Sequence, residues 1–175
     1  VYKRLIIDVR WVIIWKMIEG NAGVKCRLAV LGFKDKFQDL DIYAGTTRRS
    51  GQRLVNAVAA ENPEFILFSF GVSQASAKGL TFEELSKWTG TECRAVQLDV
   101  PKAGLSRLKQ LRGFESFDPA METFTMLKPM YGRNDAPRAW RKKLHQVLSG
   151  WLSCQQLYAE PELYCVHKAQ PGDKT

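Results

Sequence analysis

At 175 residues the chain can bury one core or two small lobes, and its 45% hydrophobic and 11% aromatic content excludes low-complexity disorder outside the tail AQPGDKT. Twenty-six Lys and Arg against 18 Asp and Glu give a net charge of +8. That balance suits a polyanion partner, nucleic acid before an acidic membrane, or a merely soluble basic surface. Cys26, Cys93, Cys154 and Cys165 form no CxxC pair. The spacing disfavours a disulfide framework or zinc ribbon and leaves buried reduced thiols as the expectation. Cys165 with His167 offers too few ligands for a metal site. The opening VYKRLIIDVRW lacks a long apolar core and a small-residue cleavage site, and no apolar run reaches membrane-spanning length. An intracellular protein is expected, and the start without Met is what a piece of a longer polypeptide would show.

In chain order, RWVIIWKMI and VKCRLAVL predict two strands joined by the turn chemistry of EGNAG. Along the second, Val24, Cys26, Leu28 and Val30 alternate with Lys25, Arg27 and Ala29, predicting an apolar face and a basic one. KDKFQDLDIYAGTTRR is polar and turn-like. Ser50 can cap a helix over GQRLVNAVAAEN, striped by Leu54, Val55, Val58 and Ala59 and stopped by Pro63. EFILFSFGV then predicts a central strand covered on both faces. LTFEELSKW predicts a short helix, with Thr81 and Glu84 at capping-box spacing. CRAVQLDVP predicts a strand, KAGLSRLKQLRGF a short basic helix ended by Gly113, and METFTMLK a strand. NDAPRAWRKKLHQVLSGW is the clearest helix, with Asp135 at the cap and Pro137 in the first turn. ELYCVHK predicts a closing strand. The whole reads as α+β with an N-terminal β-ribbon.

These segments, in this order, resemble the reverse transcriptase of copia-type LTR retrotransposons over roughly residues 10 to 167. RWVIIWK, then GNAGVKCRLAVLGFKDKFQDLDIY, is similar to the family's W-V-x-K, Y-K-A-R-L-V-x-x-G-F-x-Q and I-D-Y. LKPMYGRNDAPRAWRKKL is similar to L-K-K-S-L-Y-G-L-K-Q-A-P-R-x-W-x-x-K-L, and PELYCVHK to D-x-x-L-Y-V-x-x. The resemblance implies the fingers and palm of a right-hand polymerase. A fingers-like ribbon and helix would fill residues 1–60, a palm-like region with fingers insertions 61–168, and a disordered tail 169–175. It also implies RNA-directed DNA synthesis on an RNA/DNA template-primer with dNTP, two Mg²⁺ ions held by carboxylates, and the rest of a Pol polyprotein as neighbour.

Against the family's Q-L-D-V-x-x-A-F-L-x-G stands SFGVSQASAKG, with Val72, Ala75 and Gly79 kept. Gly71 takes the place of the first metal-binding Asp, and Ser76 that of a Phe packing under the nucleotide sugar. The string QLDV at residues 97–100 is a decoy, because the family spacing counted from Gly32-Phe33 lands on Gly71 and not on Asp99. The Y-x-D-D hairpin is missing before Thr175 and no Asp-Asp pair occurs, so the palm is expected to be incomplete, Mg²⁺ unbound and catalysis lost. What the resemblance leaves for binding is Lys25, Arg27, Val72 and Ser76 toward a nucleotide, and Tyr131, Gly132, Arg138, Arg141 and Lys142 toward nucleic acid. A solvated face is the alternative for Lys25, Arg27, Arg138, Arg141 and Lys142, and a plain turn for Tyr131 and Gly132. Arg133 and Asn134 replace the family's L-K, which touches local packing beside the template. A non-catalytic nucleic-acid-binding module and a decayed, poorly folding copy are the competing readings.

Overall fold

Two long strands form a hairpin: β1 (Leu5–Ile18) runs antiparallel to β2 (Asn21–Val30), in register from Val9 opposite Val30 to Ile18 opposite Asn21. The loop is Glu19-Gly20, with φ of 51° and 84°. Positive φ at both central positions is the tight turn whose twist matches a hairpin, and Gly20 takes its place without a Cβ penalty. The computed structural model describes residues 5–35 and 42–166. The Asp41 of the I-D-Y match, His167 and the tail lie outside them.

The remaining elements are α1 (Arg49–Glu61), α2 (Phe82–Thr89), β3 (Val96–Asp99), α3 (Leu105–Leu108), β4 (Phe124–Met126), α4 (Ala136–Gln146), β5 (Gln155–Gln156) and β6 (Tyr164–Cys165). The fold is α+β. One mixed sheet has the order β2-β1-β3-β4, and β5 and β6 pair separately. The first half of β1 runs parallel to β3, Leu5 opposite Val96 through Asp8 opposite Asp99, and β3 runs antiparallel to β4. The sheet therefore joins strands from both sides of residue 60. Ile7, Val30, Val96, Leu98 and Met126 point from it into one buried cluster with Phe82 of α2. Phe117 stacks on Phe124 at 5.3 Å beside it.

Several expectations need correction. FILFSF is not a central strand: residues 65 to 70 form no sheet and are exposed. An apolar run specifies burial but not a partner, and the place beside β1 is filled by β3, the AVQLDV segment. Asp99 ends that strand. The cysteines are not buried: Cys26 and Cys93 are exposed, Cys154 and Cys165 half-buried, and none of the four is in a disulfide. Val24 and Cys26 are exposed while Lys25 and Arg27 are half-buried, because the outer half of the hairpin projects past the sheet and has no core to face. Helix α1 starts one residue before Ser50 and has no side-chain cap. The KAGLSRLKQLRGF helix shrinks to a 3-10 turn and the four residues of α3, and ELYCVHK to the two-residue β6.

Helix α2 matches its reading in detail. The Thr81 hydroxyl accepts from the Glu84 N–H at 3.0 Å and Glu84 accepts from the Thr81 N–H at 2.7 Å. Gly90, with φ 69°, ends it. Thr81→Ala is expected to lower stability by about 1 kcal/mol, read from the urea midpoint. The Thr81 backbone N–H, chiefly, holds the Glu84 carboxyl below its ordinary value. A lowered folded value means that this contribution is full above the unfolded value and fades as pH falls through the folded one.

Candidate nucleic-acid interface

The end of β2 is where two resemblance-bearing segments meet. The Val30 N–H donates to the Tyr131 carbonyl at 2.9 Å. Gly132, at φ 95°, follows so closely that a Cβ there would lie 2.1 Å from the Val30 oxygen. The turn is thereby pinned to the strand, and the Tyr131 side chain reaches back along it. Arg27 Nη1 donates to Tyr131 Oη at 3.3 Å, and its guanidinium carbon stands 5.2 Å from the ring centroid. Lys25 lies two residues earlier, on the same face of β2. A basic pair and an aromatic ring edge thus share one side of the ribbon, the combination that grips a phosphate and stacks on a base.

Helix α4 carries the second basic group. Asp135 does not cap it; Pro137 lies in its first turn, as read from the sequence. Arg138 and Lys142, one turn apart, both lie over the Trp88 ring, at 5.3 and 3.7 Å from its centroid. Arg141 donates through Nε to Glu162 Oε1 at 2.8 Å and lies over the Tyr43 ring at 5.6 Å. The hydrogen bond to Glu162 raises its pKa above the ordinary guanidinium value, against burial. Arg141 is therefore a structural tie to the β5–β6 end, while Arg138 and Lys142 frame an indole that sequence reading passed over. His145 Nδ1 is 2.8 Å from Tyr164 Oη, whose pKa burial raises.

Gly71, Val72 and Ser76 do not join this group. Gly71 is exposed and a Cβ on it would meet nothing within 4 Å. Ser76 sits in the 3-10 turn Ala75–Lys78, which leads to Leu80, whose N–H donates to Ala139 of α4 at 3.2 Å. Among the described residues, no hydrogen bond, ion pair or ring contact links these three to Lys25 or Arg27.

The side chains that sequence reasoning missed are charged and buried. Arg133 is 4% exposed and donates a fork to Asp135, Nε to Oδ1 at 2.8 Å and Nη2 to Oδ2 at 2.7 Å. Its Nη2 is also 3.0 Å from Asp35 Oδ2, which accepts from Arg94 Nη2 at 2.7 Å. Burial alone would lower the Arg133 pKa, but the hydrogen bonds and charges of Asp135 and Asp35 outweigh it and raise the value. The Arg-Asn-Asp order gave no hint of this, because two of the four partners lie far away in sequence.

The described carboxylates do not gather into the two-metal site that the resemblance implies. Gly71 offers no ligand, and Asp8, in register beside Asp99, is paired to Lys34. Among the described residues no three His, Cys, Asp or Glu side chains gather as a metal group. No described helix is long and apolar enough to cross a membrane. Comparisons with protein-family models, with curated proteins and with solved structures found no match.

Proposed function

We propose that this chain is a copia-type reverse transcriptase domain that has lost polymerase chemistry, its scaffold laid out as fingers and palm. The loss is argued from Gly71 in the place of a metal-binding Asp. A second reading, a non-catalytic module that binds nucleic acid, is favoured by one observation: Arg27 and Tyr131, from segments 104 residues apart, meet on one face of the ribbon. The net charge of +8 supplies the long-range attraction for a polyanion. Template-primer and dNTP are the partners that this reading implies, and the rest of a Pol polyprotein the neighbour.

Two measurements on the same chain test it. With Mg²⁺, template-primer and dNTP, no extension product is expected from the wild type or from Gly71→Asp, since no Asp-Asp pair stands elsewhere in the sequence. Template-dependent product would overturn the loss of chemistry. A labelled RNA–DNA hybrid is expected to bind with a log–log salt slope of about −0.9 per phosphate contact. Weak binding insensitive to salt would sink the binding reading while leaving the first untouched.

A further inference from the structure

Past Val9 the hairpin is a ribbon of two strands, because β3 pairs with β1 only from Leu5 to Asp8. The two faces of that ribbon differ. Register places Trp11, Ile13, Trp15 and Met17 of β1 on one face, with Cys26 opposite Ile13 and Val24 opposite Trp15. This face continues outward from the core residues Ile7 and Val30. It leaves the protein open to solvent: Ile13, Trp15 and Met17 are 64, 79 and 62% exposed, and Val24 and Cys26 are exposed too. The other face carries Arg10, Lys16, Lys25 and Arg27. Against those four cations, residues 9–30 hold a single acid, Glu19 in the turn.

We propose that the ribbon docks on an anionic phospholipid bilayer, its apolar face dipping into the interface and its cations meeting the headgroups. Charge complementarity selects that occupant. Four cations against one acid favour an anionic partner, whereas a second copy of the chain brings the same sign. Nucleic acid, the other polyanion, suits the basic face alone. Ile13, Met17 and Val24 have no ring on which a base could stack. Trp11 and Trp15, four residues apart on a strand, are separated by roughly 13 Å, against about 3.4 Å between neighbouring stacked bases. A bilayer interface takes both faces at once. It offers hydrocarbon to the aliphatic side chains, a headgroup layer in which tryptophan settles, and negative charge for Arg10 and Lys16. Neighbouring strands lie only about 5 Å apart, so those long side chains reach round the edge of the ribbon. Arg27 stays with Tyr131 on the far side, clear of the bilayer.

Flotation of the whole chain with vesicles tests this, using phosphatidylcholine alone and phosphatidylcholine with about one-third phosphatidylserine. Binding to the anionic vesicles is expected, with a blue shift of tryptophan emission, and it should weaken as salt rises. Lys16→Gln should cost about fivefold in affinity, the worth of one cation at such a surface. Trp15→Ser and Ile13→Ser replace side chains that are exposed in the free chain, so circular dichroism should not change. Each should weaken vesicle binding by about tenfold or more and leave RNA–DNA hybrid binding as it was. No binding to the anionic vesicles overturns the proposal. So does equal binding to the neutral ones, or binding that both serine variants keep, which is adsorption by charge alone. Two further results would give the apolar face to another occupant and overturn it as well. One is a dimer, seen by sedimentation velocity without lipid, that Trp15→Ser dissolves; the other is hybrid affinity that falls with Trp15→Ser.

Discussion

Arg133→Met is expected to lower folding stability by about 3–5 kcal/mol, the loss that follows removal of one partner from a buried ion pair. The methionine fills similar space, so packing over the Phe82 ring, 5.5 Å from the guanidinium, is largely kept. What changes is charge. Asp135, itself 4% exposed, loses both bonds of its fork, and Asp35 is left to Arg94. The dominant penalty is a buried carboxylate left to the longer contact with Arg94 Nη1 at 3.6 Å, rather than the net worth of the pair. The double variant Arg133→Met with Asp135→Leu should therefore recover part of the loss, because it removes the stranded charge and leaves Asp35 with Arg94. Urea unfolding followed by circular dichroism reads both. The raised Arg133 pKa keeps the cation intact below its unfolded value and loses it only above the folded one, so no titration of this group should move the midpoint in neutral buffers. A single-variant midpoint equal to wild type, or a double variant less stable than the single, would refute the assignment.

Local chemistry was legible in the sequence where neighbours in the chain decide the structure. EGNAG gave the hairpin, since the residues that adopt positive φ are few. Thr81 and Glu84 gave the cap of α2, since both partners of that hydrogen-bond pair lie in one turn. Pro137 in the first turn gave the start of α4. The α+β class followed from the mixture of these signals.

Failure came where the outcome depended on distant partners. FILFSF has the composition of a buried strand, yet burial needs a neighbour, and the neighbour of β1 is Val96–Asp99. The replacement of the family's L-K by Arg133 and Asn134 points only to local packing beside the template and names no partner for Arg133. Its actual surroundings are Asp35 and Arg94, brought in by the turn after β2 and the approach to β3. The candidate interface divides in the same way. Arg27 and Tyr131 converge because Val30 anchors the turn, whereas Arg141 is held by Glu162, a tie that no charge count along α4 reveals.

Gly132→Ala tests that convergence from its tightest point. At φ 95° an L side chain is strained wherever it sits, by about 1–2 kcal/mol. Here the new Cβ also falls 2.1 Å from the Val30 carbonyl oxygen and 3.0 Å from its nitrogen. Both obstacles are backbone of β2, held by ten register pairs to β1, so the strand does not yield. The turn must lift instead, which breaks the Val30 N–H bond to the Tyr131 carbonyl and withdraws the Tyr131 ring from Arg27. The lost hydrogen bond and the strain together are expected to lower stability by about 3 kcal/mol. Gly113 separates the two effects: its φ is 88° but a Cβ there would meet nothing within 4 Å. Gly113→Ala should therefore show strain alone, about 1–2 kcal/mol, with hybrid binding unchanged. Gly132→Ala, measured under conditions where it is still folded, should bind RNA–DNA hybrid more weakly than Gly113→Ala. Equal binding by the two would mean that the Arg27–Tyr131 contact serves the ribbon's attachment and not a nucleic acid.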